Sequence, residues 1–240
     1  MVMPLRGKTN MTRQGHRNVH HDLQEDQLRA HFTRYTRQAF QLLPRLDHPT
    51  ILDIGCGTGV PTLELARLSA GLVIGVDTDQ DCLDELTQKA AAAGLAGRVK
   101  TLNQSLFELE FPAESFDILW AEGTIAIIGF ERGLREWHRL LKPGGFMGIH
   151  DERGDLSQKL RAIQGCGYEL LGQVVIPGET WWREYYEPLE RRITAIREQY
   201  SHDPRARAAL AAEEREVELV KNHPEQYASV FLVLQKSTRK

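Results

Sequence analysis

Residues 51–66 read ILDIGCGTGVPTLELA. An apolar run interrupted by Asp53 leads into glycines at 55, 57 and 59, and an amphipathic run starts at Val60 with no intervening linker. A strand that passes through glycines directly into a helix makes a sharp backbone turn whose N–H groups a ligand can approach. The spacing is G-x-G-x-G. A dinucleotide fingerprint needs G-x-G-x-x-G, and a phosphate loop needs Gly-Lys-Ser/Thr, so both matches fail. Asp53 sharpens the exclusion, because a carboxylate beside this turn repels a pyrophosphate and attracts a cation.

Outward from this turn, short apolar runs alternate with longer amphipathic ones, the pattern of βα units around a mainly parallel sheet. Seven strands are expected, at 50–54, 72–77, 98–103, 116–121, 146–151, 169–176 and 227–235. Helical patterns at 60–69, 79–93, 130–141 and 155–164 connect them. KPGG at 142–145 reads as a helix stop followed by a turn. Two segments exceed a plain crossover: an N-terminal helix over about 21–43, and a connection from 178 to 224 that is strongly helical from Leu189 to Val220. The expected organisation is a flexible tail over 1–20 and a single domain over 21–240, with 178–224 as a helical lid.

Asp77 ends the second strand, where a carboxylate can accept from both hydroxyls of a ribose. Its other reading is a cap for the helix that starts near Asp79. S-adenosylmethionine suits both carboxylates, with a sulfonium and an ammonium at one end and a ribose and adenine at the other. The ordered set DIGCGTG, GVD, FPAESFDILW and LLKPGG resembles the class I S-adenosylmethionine-dependent methyltransferases over about residues 22–176 and the last strand. WAEGTIAIIGFERGLREW is similar to a subgroup of bacterial small-molecule methyltransferases. The resemblance implies a Rossmann-like α/β fold: a seven-stranded, mostly parallel sheet with an antiparallel last strand and helices on both faces. It further implies that Gly55, Cys56, Gly57 and Gly59 line the methionyl part of the cofactor, with Asp53 near its amino group. Asp77 and Thr78 would hold the ribose, and Ser105 and Leu106 would edge the adenine. The family often has an Asp where Ser105 stands, so adenine recognition here would rest on backbone groups or on the serine.

Reacting groups in such sheets collect outside the carboxyl ends of the strands. Those ends carry Glu122 after the fourth strand and His150, Asp151 and Glu152 after the fifth. Glu122 would contact cofactor or acceptor, and His150 would take a proton from an oxygen or nitrogen nucleophile. A satisfied core histidine is an equal alternative, and no metal is expected. Cys56 is read as a small residue in a tight turn.

GETWWREYYEPLERR, 178–192, places Trp181, Trp182, Tyr185 and Tyr186 within six positions. On an α-helix Trp181 would share a face with Tyr185, and Trp182 with Tyr186. One pair could then wall a substrate pocket while the other packs, and docking of all four onto the sheet is the competing reading. Glu179, Glu184, Glu187 and Glu190 neutralise the neighbouring arginines, which disfavours nucleic acid and membrane surfaces.

The net charge of −3 agrees. Hydrophobic residues at 41% and charged residues at 26% exclude intrinsic disorder. Three dispersed cysteines and the lack of an apolar leader point to the cytoplasm. The expectation is an enzyme that moves a methyl group from S-adenosylmethionine to a small molecule, leaving S-adenosylhomocysteine. An RNA or protein methyltransferase, or a non-catalytic cofactor-binding protein, is the alternative, and a homodimer remains open.

Overall fold

Thr50–Ile54 forms the central strand of the computed structural model, which is described over Val19 and residues 21–238. Apart from Val19, the expected tail lies outside the described residues. The strands are β1 Thr50–Ile54, β2 Leu72–Asp77, β3 Val99–Asn103, β4 Phe116–Glu122, β5 Leu141–Glu152, β6 Tyr168–Ile176 and β7 Ser229–Lys236. They make one sheet in the order β3-β2-β1-β4-β5-β7-β6. β1 pairs in parallel with β2 and β4, β2 with β3, and β4 with β5. The sheet is mixed, with the last strand antiparallel, and has a Rossmann-like architecture. The buried run of β1 is what a parallel strand covered on both faces requires. From β1 the chain winds outward to β3 and then returns to β4 on the other flank, so the carboxyl ends of β1 and β4 form the switch point at which such sheets bind ligands.

Three departures have local causes. β5 starts at Leu141, so KPGG lies inside the strand instead of forming a turn before it. The pairing with β4 jumps from Phe116–Leu141 to Ile118–Phe146. The intervening residues bulge outward with Gly144 at φ 72°, while the Lys142 ammonium reaches both carboxylate oxygens of Asp117 at 2.9 Å. The N-terminal pattern forms two helices, Glu25–Ala30 and Thr33–Phe40, because the bonds tighten to an i to i−3 pattern at His31 and Phe32. The 189–220 pattern likewise divides into Glu187–Ile196 and Pro204–Asn222. The second of these starts with Pro204 behind Asp203, whose carboxylate accepts from the N–H groups of Arg205 and Ala206.

The chain groups into two compact units, one holding Thr33–Val175 and the residues from Val230 onward, the other holding Ile176–Ser229 and the described residues up to Phe32. The first is the sheet unit, with a core that includes Leu52, Ile54, Phe116, Leu119, Trp137 and Leu232. The second is helical and buries Leu23, Leu28, Leu189, Ile193, Leu210 and Val217. Among the described residues no helix is long and apolar enough to cross a membrane.

Candidate active site

The glycine turn takes the backbone conformation its sequence requires. Gly55, Gly57 and Gly59 have φ of 74°, 52° and 87°. At Gly55 a Cβ would also fall 2.2 Å from Cγ2 of Thr124, whereas at Gly57 it would meet nothing within 4 Å. Space therefore opens in front of the Gly57 peptide. The turn is tied to the end of β2: the N–H groups of Gly55 and Cys56 donate to the Val76 carbonyl at 2.8 and 3.0 Å, and that of Gly57 donates to Oδ2 of Asp77 at 2.9 Å. Oδ1 of Asp77 accepts from the N–H of Asp79 at 3.0 Å. Asp79, not Asp77, caps the helix Gln80–Ala92. A carboxylate oxygen that has accepted one bond keeps capacity for another, so Asp77 remains competent to receive hydroxyls.

Asp53 lies buried beneath this turn and accepts a hydrogen bond of 2.6 Å from the Thr62 hydroxyl. Burial pushes its carboxyl up to about 7; the Asp77 carboxylate adds to the shift and the Thr62 bond opposes it. A carboxyl poised there ionises readily when a cation arrives. Burial also pushes the Cys56 thiol up, and the Asp53 and Asp77 carboxylates push it further, which is the reverse of an activated thiolate. Sγ of Cys56 occupies room left by Gly75, where a Cβ would lie 2.8 Å from it. Its size therefore accounts for its place in the turn.

The loop after β3 joins the same edge through the Gln104 N–H, which donates to the Asp77 carbonyl at 3.1 Å. Thr78 is exposed, and its carbonyl accepts from Asn103 at 3.4 Å. Oγ of Ser105 accepts from the Phe107 N–H at 3.3 Å, and the Leu106 carbonyl accepts from Nε1 of Trp137 at 3.1 Å. Asp53, the glycines, Asp77, Thr78, Ser105 and Leu106 thus gather along the carboxyl ends of three adjacent strands.

On the β4 side, Oε1 of Glu122 accepts from Nε1 of Trp120 at 2.7 Å and from the Thr36 hydroxyl at 2.9 Å. The two donors hold the carboxylate in place. Glu122 stands opposite His150 in the β4–β5 register. His150 is buried and stacks on Phe231 at 4.5 Å, with 26° between the rings. Asp151 is buried in an ion pair with Lys159, whose ammonium also donates to the Glu152 carbonyl. Burial, followed by the Asp151 charge, pushes the Glu152 carboxyl up. Among the described residues no group of three or more His, Cys, Asp or Glu side chains is arranged to hold a metal ion. Thr36, Trp120 and Lys159 escaped sequence reasoning. Strand alternation already put Trp120 on the face of Glu122, but nothing local announces the other two.

The aromatic stretch belongs to the helical unit. A π-helical turn covers Trp182–Tyr186, and Trp181 meets Tyr185 edge-on at 5.9 Å and Tyr186 at 6.5 Å. Trp181 stacks on Phe32 at 4.1 Å and donates from Nε1 to the Ser229 hydroxyl at 2.8 Å. The Tyr185 hydroxyl donates to Glu25 at 3.1 Å, that of Tyr186 donates to Glu216 at 2.8 Å, and the two rings meet edge-on at 4.9 Å. These three side chains are buried, whereas Trp182 is half-buried beneath the Lys221 ammonium, 5.8 Å from its ring centre. The expected Trp181–Tyr185 pair is therefore present, whereas Tyr186 joins that pair instead of sharing a face with Trp182, and three of the four aromatics pack within their own unit.

A family described as "Methyltransferase domain" matches residues 51–145. The chain is similar to a sterol 24-C-methyltransferase of Neurospora crassa, 30% identical over 135 residues that span 50% of this chain and 36% of that protein. It is similar to the 27-O-demethylrifamycin SV methyltransferase of Amycolatopsis mediterranei, 30% identical over 138 residues, 56% of this chain and 51% of that one. The matched region thus spans about half the length of these relatives, or less. In fold, it resembles a methyltransferase of Geobacter sulfurreducens crystallised with S-adenosyl-L-homocysteine, with a TM-score of 0.69, 19% identity and coverage of 83% of this chain and 88% of that one. It also resembles the cyclase SpnF, with a TM-score of 0.72, 24% identity and coverage of 86% and 82%.

Proposed function

We propose that this chain, whose residues 51–145 form a methyltransferase domain of the class I S-adenosylmethionine-dependent family, transfers the methyl group of S-adenosylmethionine to a small molecule. The observation that carries the reading is the pair of carboxyls, Asp53 and Asp77, around a glycine turn that is open at Gly57. One carboxyl is buried and near neutrality, suited to an ammonium, and the other is half-buried and already oriented by two backbone N–H groups, suited to a ribose. When bound, the donor supplies a methyl carbon activated by a positively charged sulfur. The protein's share is placement: Asp77 holds the ribose, the Gly55–Gly59 turn and Asp53 hold the methionyl end, and Ser105 and Leu106 edge the adenine. Holding two reactants in near-attack geometry removes much of the barrier to such a displacement. Glu122, fixed by Trp120 and Thr36, orients the acceptor, and His150 receives a proton when the nucleophile is a hydroxyl or amine. The acidic net charge and the relatives named for a sterol and a rifamycin precursor favour a small acceptor over RNA.

A second reading keeps the donor pocket but changes the chemistry, and it is favoured by the fold's likeness to a protein named as a cyclase. Calorimetry with S-adenosylhomocysteine tests what the two readings share, and absence of binding removes both. Formation of S-adenosylhomocysteine from S-adenosylmethionine with any member of an acceptor panel separates them.

The state of Asp53 makes binding pH-dependent. Below pH 7 its carboxyl is mostly protonated and must lose a proton to meet an ammonium. Affinity for S-adenosylhomocysteine is expected to rise about tenfold from pH 6 to pH 8 and level off above. At pH 6 close to one proton is released on binding, measurable by calorimetry in two buffers of different ionisation enthalpy. Asp53→Asn should bind more weakly with no such slope, and a slope unchanged in that variant would place the titration elsewhere.

A further inference from the structure

We propose that Thr124 is a positioning residue that sets the glycine turn for the donor, an inference that rests on the reading of that turn as the donor site. Thr124 stands at the N-cap of the helix Ile125–Ile128. A threonine at such a position ordinarily accepts from a backbone N–H two or three residues on. Thr124 makes no side-chain cap bond. Its hydroxyl instead donates to the Ile54 carbonyl at 2.8 Å, and its methyl group occupies the space a Cβ on Gly55 would need. The short helix forgoes its cap, and the side chain serves the turn.

The geometry shows what that service is. The Ile54 carbonyl and the Gly55 N–H belong to one peptide group. Thr124 holds its oxygen from the β4 side, and the Val76 carbonyl holds its N–H from the β2 side at 2.8 Å. This peptide is followed by the Gly55–Cys56 peptide, whose N–H also donates to the Val76 carbonyl at 3.0 Å, and then by Gly57, whose N–H meets Asp77. Freed at one end, it can rotate and re-aim the N–H groups that follow. The preceding residue, Gly123, donates its N–H to the His150 carbonyl at 2.9 Å. The segment Glu122–Thr124 therefore couples the placement of the acceptor-side carboxylate to that of the donor turn.

Threonine supplies two functions that separate in its near-isosteres: valine keeps the methyl group and loses the hydroxyl, and serine does the reverse. In the ligand-free full chain, Thr124→Val is expected to speed amide hydrogen exchange at Gly55, Cys56 and Gly57 about tenfold, with the strand interiors of β1 and β4 unchanged. Its affinity for S-adenosylhomocysteine should fall about tenfold while its Tm stays within a few degrees of the parent. Thr124→Ser should stay within about threefold of the parent in both exchange and affinity. The proposal is overturned if Thr124→Val shows parental exchange in the turn, if exchange rises uniformly along β1 and β4, or if serine behaves as valine does. Should the valine variant not fold, the serine variant decides alone, with loosened exchange confined to the turn counting against the hydroxyl. Loss of the donor reading shows separately, as absence of S-adenosylhomocysteine binding by the parent protein, and leaves the exchange result to judge Thr124.

Discussion

Asp77→Ala is expected to weaken S-adenosylhomocysteine binding about 100-fold or more. In the proposed complex this carboxylate accepts from two ribose hydroxyls while keeping its bonds from the N–H groups of Gly57 and Asp79. Hydrogen bonds to an ionised group are worth about 1.5–3 kcal/mol each, so losing two costs about 3 kcal/mol or more, which is a hundredfold in affinity. The substitution also releases the Gly57 N–H and slackens the turn, which adds to the loss. Asp77→Asn should fall between: its amide oxygen can still accept one backbone N–H, but its NH2 group confronts a second donor. Isothermal calorimetry on the three proteins orders them parent, asparagine, alanine. An alanine variant that binds within threefold of the parent would show that the ribose is held elsewhere.

The proposed donor side draws on residues that are local in the chain. Asp53, the three glycines and Asp77 fall within 25 consecutive residues, 53–77; β2 is an apolar run that ends at Asp77, and β1 carries Asp53 one residue before its end. β1 and β2 accordingly form over the expected residues. What remained illegible depends on partners distant in sequence or on backbone choices that composition does not encode. Thr36 reaches Glu122 from a helix before the first strand, and Lys159 reaches Asp151 from the helix after β5. KPGG carries residues that serve equally for a turn and for a bulge, and the Lys142–Asp117 pair across β4 and β5 accompanies the second. The aromatic stretch shows the limit of periodicity. Tyr185 meets Trp181 as its spacing predicts, but Tyr186 meets Trp181 as well, beside a turn that widens to an i to i+5 pattern, which α-helical spacing does not anticipate. Asp77 and Asp79 show the opposite case: the sequence offers helix capping to either, and Asp79 takes it, while Asp77 is tied to the glycine turn.

The second large effect concerns stability. Lys159→Met is expected to destabilise the sheet unit by about 3–5 kcal/mol, because it leaves the Asp151 carboxylate buried without its counter-charge. The side chains of Asp151 and Lys159 are 5% and 12% exposed, too little for water to replace the lost ammonium. The ammonium also donates to the Glu152 carbonyl and lies 5.1 Å from the centre of the Phe130 ring, so three contacts disappear together. At about 2–4 °C per kcal/mol for a chain of this size, the melting temperature should fall by roughly 10 °C. The double variant Asp151→Asn/Lys159→Met removes both charges, and replacing a buried ion pair by uncharged groups is often nearly neutral. It should therefore recover most of the loss, which scanning calorimetry on the single and double variants would show as strong non-additivity. The cycle also decides what Asp151 is for. If the carboxylate serves only to balance Lys159 and fix the end of β5 beside His150, the double variant binds S-adenosylhomocysteine as the parent does and retains whatever turnover the acceptor panel detects. If Asp151 contacts the acceptor, stability returns in the double variant but turnover does not, and the residue moves from the framework of the site into the site itself.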